Sequence, residues 1–136
     1  MRSRFRAALV LAVAGALSVS CGGIVDPSQN KVEPFSGTIA LQGRGPVHPF
    51  SASKTGEISV KITALSPSSG TLVGMLWAQA SGPGACDGQL LFNSIAQLNI
   101  PAISNQILKG DYCIQLYDAG YFSTAQTYTV TVSHPP

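Results

Sequence analysis

Three cysteines, two histidines and six acidic side chains are the first groups in this 136-residue chain to weigh for covalent, metal or proton-transfer chemistry. His48 stands between Val47 and Pro49, and His134 in the closing run Ser133, His134, Pro135, Pro136. Zinc takes His and Cys ligands at short, fixed spacings. Neither histidine belongs to a His-x-x-x-His pair or stands near a cysteine, so no metal site is expected. A serine hydrolase needs a hydroxyl held against a positioned base. The chain has no Gly-x-Ser-x-Gly turn, and Ser66, Ser68 and Ser69 sit in a Ser/Pro/Gly turn cluster. No glycine-rich phosphate cradle is present. The acids are scattered, with Asp26 and Glu33 ahead of the patterned region, so no carboxylate pair is evident. These residues predict a non-enzyme without a cofactor.

Aromatic side chains offer recognition instead, because they present a large apolar face with little entropy to lose. Trp77 lies in an almost wholly apolar run, a setting that favours the core over a ligand platform. Tyr121 and Phe122 follow the turn Asp118, Ala119, Gly120, which places them on an exposed hairpin tip. They are the candidate ligand contacts, with packing of the tip as the alternative.

The first twenty residues read as an address. Arg2, Arg4 and Arg6 precede an apolar run over 7–17 and then Ser18, Val19, Ser20. That is the order of a cleaved secretory signal, and the run is about half of the ~20 residues a membrane-spanning helix needs. Leu17, Ser18, Val19, Ser20, Cys21 resembles a bacterial lipobox, with the small Ser20 directly before the cysteine and Leu17 one place early. The resemblance implies a lipoprotein, exported and anchored in a cell-envelope membrane through lipid on Cys21, facing the periplasm or the cell surface. Ordinary cleavage after Ser20 is the alternative, and it leaves an unpaired thiol in an oxidising compartment.

Without residues 1–20, five basic side chains face six acidic ones, a net charge of −1 in place of the formal +2 of the whole chain. No basic patch survives to displace counterions, so nucleic acid is not an expected partner. Export also makes a disulfide between Cys86 and Cys113 the expectation, with two separate thiols as the alternative.

The elements that must position these residues are strands. Residues 21–34 carry Gly, Pro, Ser, Gln and Asn without a sustained period and read as a flexible tether. From Phe35 the chain alternates, most clearly over 57–64, where Ile58, Val60, Ile62 and Ala64 share one face. Residues 35–42, 47–52, 71–78, 112–117 and 126–133 read likewise as strands. Residues 90–108 fit either two short strands or a helical turn, ended by Pro101. Seven or eight strands over about a hundred residues predict an all-β, antiparallel sandwich spanning 35–134.

Lys54, Thr55, Gly56, Glu57, Ile58, Ser59, Val60, then Leu108 to Tyr117, then Tyr128, Thr129, Val130, Thr131, Val132 follow one another in a recognisable order. Together they resemble the bacterial pre-peptidase C-terminal (PPC) domain over Val47 to Val132. The resemblance implies a jelly-roll-like β-sandwich appended to exported proteins. Many such domains carry acids at the start of the central apolar strand, where Gly70, Thr71, Leu72, Val73 stand here, so calcium is not expected. The function expected is a non-catalytic binding or adhesion module of the cell envelope with a glycan or protein ligand. A structural lipoprotein without a soluble ligand and a small secreted enzyme with a site near His48 are the alternatives.

Overall fold

The structure, a computed structural model, describes residues 23–136. The expected signal peptide of residues 1–20 and the expected lipidation site, Cys21, lie outside the described residues. A 3₁₀ turn, Pro27–Gln29, is followed by eight strands: β1 (Lys31–Ile39), β2 (Arg44–Ala52), β3 (Gly56–Ser66), β4 (Val73–Gln79), β5 (Gly88–Ala96), β6 (Pro101–Ile107), β7 (Gly110–Tyr117) and β8 (Gln126–His134). They form two four-stranded sheets in the orders β1-β8-β3-β6 and β2-β7-β4-β5, with every strand pair antiparallel. Apart from the β4–β5 hairpin, successive strands alternate between the sheets, which is the jelly-roll arrangement.

The alternation of side chains explains why these segments pair as they do. Ile58, Val60 and Ile62 of β3, Tyr128, Val130 and Val132 of β8, and Ile103 and Ile107 of β6 bury one face of the first sheet. Phe50 of β2, Val73, Met75 and Trp77 of β4, and Tyr112, Ile114 and Leu116 of β7 bury the facing side of the second. Each sheet can remove its apolar face from water only against the other, which is what makes two layers the stable solution.

Local departures have local causes. Ala64 faces solvent rather than continuing the Ile58–Val60–Ile62 face, because a register shift between Ile62 and Ala64 turns the strand and buries Leu65 instead. Residues 90–108 form two strands, and Pro101 opens β6 rather than ending an element; β6 is an edge strand, where a missing N–H costs no ladder bond. The stretch read as a tether is ordered well before Phe35. Asp26 caps the 3₁₀ turn by accepting from Ser28 N at 2.9 Å, and β1 takes in Lys31, Val32, Glu33 and Pro34, paired with β8 from Lys31↔His134 onward.

The strand directions give the sandwich two distinct ends. At one end Val25 N donates to Thr55 O at 2.9 Å, Ser53 N donates to Pro136 O at 3.2 Å, and Asn30 Nδ2 donates to Glu57 O at 2.9 Å. The first described residues, the β2–β3 turn and the C-terminus therefore lie together. The β1–β2 turn and the loop of residues 118–125 occupy the opposite end, tied by Gln42 N donating to Asp118 Oδ2 at 2.9 Å.

Candidate functional site

Cys86 and Cys113 form a disulfide with a Cα–Cα distance of 5.7 Å. Cys113 is buried in β7, so the bond fixes the β4–β5 loop against the outer face of the second sheet beside Leu76 and Ala78. Trp77 is 4% exposed in the core, its ring 5.7 Å from that of Tyr112.

Tyr121 and Phe122 are divided by the fold. Tyr121 is 51% exposed, whereas Phe122 packs against the core. Their loop is a crossing from β7 in one sheet to β8 in the other, not a hairpin tip. It is shaped by Asp118, whose Oδ1 accepts from the backbone N–H of Gly120, Tyr121 and Phe122 at 2.8, 3.1 and 3.3 Å. Burial opposes the Asp118 charge, but these donors and Gln42 N outweigh it and hold the carboxyl below its ordinary range. Asp118 thus organises the loop.

His48 lies inside the sandwich near its β1–β2 edge. Its Nε2 is 2.6 Å from the Tyr128 hydroxyl, and its ring stacks on Phe35 at 5.0 Å. Burial pushes the His48 pKa down and that of Tyr128 up to about 12. Two largely neutral rings sharing one hydrogen bond make a core contact.

His134 is fully buried, and its partner is one that no local sequence pattern reveals. Its Nδ1 donates to Pro135 O at 2.7 Å and its Nε2 lies 3.0 Å from Glu33 Oε1, which also pairs with Lys31 Nζ at 2.6 Å. This trio lines the edge where β1 meets β8. Inward-pointing charge on an edge strand discourages another chain from pairing with it. Among the described residues, no three His, Cys, Asp or Glu side chains converge to hold a metal, and no helix is long and apolar enough to cross a membrane.

The outer faces of the two sheets differ. That of the β1-β8-β3-β6 sheet is lined by hydroxyls, including Ser36 and Thr129, whose oxygens are 3.0 Å apart. That of the β2-β7-β4-β5 sheet carries a shallow depression of about 260 Å³ lined by Arg44, Leu76, Gln89, Phe92 and Tyr117. Antiparallel register assembles it: Leu76 lies opposite Phe92 on one side and Gln115 on the other, while Tyr117 is opposite both Arg44 and Gly74. Gly74 has no Cβ, and the Tyr117 ring fills the space a Cβ would take. The Arg44 guanidinium stands 5.8 Å from the centre of that ring, with Nη1 3.5 Å from Gln115 Oε1. Buried Leu76 forms the floor, and Phe92, 59% exposed, forms the far wall. Leu90 and Ile95 extend the exposed apolar surface along β5, an edge strand with no charged residue and no proline. The glycine inside an apolar strand was the one sequence signal for this site, since an isolated strand glycine marks a close approach.

Neither the protein-family models nor the curated proteins compared with this chain match it.

Proposed function

We propose that the protein is an exported, lipid-anchored, non-catalytic binding module of the bacterial cell envelope, with a glycan or protein ligand received on the outer face of the β2-β7-β4-β5 sheet. The observation carrying this reading is the depression over Leu76, where an open aromatic ring and a guanidinium over the Tyr117 ring stand on the outer face of a sheet whose inner face is packed in the core. Exposed aromatics and arginine are the side chains enriched where proteins recognise partners, and rigid support limits the entropy lost on binding. The lipobox-like residues ending at Cys21 supply the anchoring half of the proposal. The described chain starts at the end of the sandwich opposite Tyr121, and strands of nine residues separate the two ends by roughly 30 Å. A membrane anchor near the chain start leaves the Arg44–Tyr117 end of the face directed away from the bilayer.

Glycan and peptide arrays probed with the purified protein test the binding half. Signal on either class that Phe92→Ala abolishes supports it, while arrays blank on both classes favour a structural envelope lipoprotein. Mass spectrometry of the mature N-terminus tests the anchor: acylated Cys21 is expected, and an unmodified Cys21 removes the membrane from the proposal.

A further inference from the structure

We infer that the depression over Leu76 receives one carboxylate-bearing sugar ring of an acidic polysaccharide. This rests on the reading of that sheet face as a binding surface and gives its ligand a chemical class.

The charge comes first. Arg44 is the one arginine among the described residues, and the ion pairs found there, Lys31–Glu33 and His134–Glu33, leave it without a carboxylate within 4 Å. Asp118, the acid in the neighbouring loop, is already taken by backbone N–H groups of Gln42, Gly120, Tyr121 and Phe122. The guanidinium is nevertheless held, by the Tyr117 ring and by Gln115 Oε1, at the border of the depression. A guanidinium carries five N–H donors in a planar fork that matches a carboxylate, and here a single long hydrogen bond to a side chain engages it. Held on an aromatic face, it loses little freedom on meeting an anion.

Shape supplies the ring. Phe92 offers an open aromatic face beside the aliphatic floor of Leu76. The electron-rich face of an aromatic ring attracts positively polarised C–H groups, which a pyranose presents across one side. Gln89 at the rim has an amide that both donates to and accepts from hydroxyls. The volume of about 260 Å³ falls below the ~300–1,000 Å³ of pockets that enclose drug-sized ligands. It suits one ring of a chain that continues along the open sheet. A run of Asp and Glu could satisfy Arg44, but its flexible side chains offer no rigid C–H face to lay on Phe92.

Calorimetric titration of the whole protein with tri-galacturonate and with sialyllactose tests the assignment, with the methyl ester of the first and poly-glutamate as controls. Binding of at least one acidic saccharide is expected. Methyl esterification, Arg44→Gln and Phe92→Ala should each weaken it about tenfold or more, with Arg44→Lys intermediate, and poly-glutamate should not compete. Arg44 and Phe92 are both exposed, so unchanged melting of the variants shows that folding is not the cause. Equal binding of the ester, or no effect of Arg44→Gln while Phe92→Ala still weakens binding, overturns the acidic class and leaves the binding face standing. Competition by poly-glutamate overturns the saccharide in favour of a peptide. Saccharide binding untouched by either substitution overturns the site itself, and no binding of either acidic saccharide overturns the ligand class.

Discussion

The ring of Tyr117 lies over Gly74 of the adjacent strand, in space that any side chain at position 74 would occupy. That overlap keeps the ring where it supports Arg44. In Gly74→Ala the new methyl should swing the Tyr117 ring aside and release the guanidinium. Alanine favours a strand over glycine by roughly 0.5–1 kcal/mol, which offsets part of the crowding. We therefore expect stability within about 2 kcal/mol of wild type, with loss of whatever ligand the face binds. A variant that melts normally and still binds normally would show that the Tyr117 position is irrelevant.

Glu33 gives the domain an acid limit. Burial opposes its ionisation, but Lys31 and His134 outweigh burial and hold its carboxyl below the ordinary value. A depressed carboxyl pKa contributes stability above the unfolded value of ~4.3 that is lost as pH falls through the folded one. Glu33→Gln should cost roughly 1.5–3 kcal/mol at pH 7 in urea denaturation. The difference from wild type should shrink below about pH 4; a constant difference at all pH values would remove the charge from the explanation.

His48 acts in a separate, higher window. Its folded pKa is depressed by burial, so as pH falls the unfolded chain takes up this proton first, near ~6.5. The contribution is full above that value and is lost as pH falls toward the folded pKa. Stability should therefore decline as pH falls below about 6.5, and His48→Gln should flatten that slope while leaving the Glu33 window intact. An NMR titration placing the His48 ring at or above the ordinary imidazole value would contradict this.

The Cys86–Cys113 bond closes a long loop, the two residues being 27 apart. Chain-entropy reasoning gives roughly 3.5 kcal/mol for a loop of that size. The double variant Cys86→Ser/Cys113→Ser should lose about that much in urea unfolding, and dithiothreitol should destabilise wild type but not the variant. A loss well under ~1 kcal/mol would mean that the reduced, unfolded chain is already restricted near the loop.

Strands with one buried and one wet face were legible in the sequence, as Ile58, Val60 and Ile62 illustrate. β5 was not, because Leu90, Phe92 and Ile95 are exposed apolar residues on an edge, which blurs the alternation that marks a half-buried strand. The start of β1 was hidden by its charges: Lys31 and Glu33 look like tether until His134, 101 residues away, arrives beside Glu33. The proposed binding face was hidden for the same reason. Arg44, Gly74, Phe92 and Tyr117 come from four strands, and only antiparallel register makes them neighbours. Tyr121 and Phe122, adjacent in sequence and aromatic, drew attention by local pattern, yet Phe122 turns inward to the core.

Hydroxyl-radical footprinting of the protein in intact bacterial envelopes, read by mass spectrometry residue by residue, tests the binding face whatever the ligand is. Relative to purified protein, Phe92 and Tyr117 should be protected, with Tyr121 labelled as before. Protection confined to Tyr121, or labelling of Phe92 and Tyr117 as strong in the envelope as in solution, would contradict a ligand on the β2-β7-β4-β5 face.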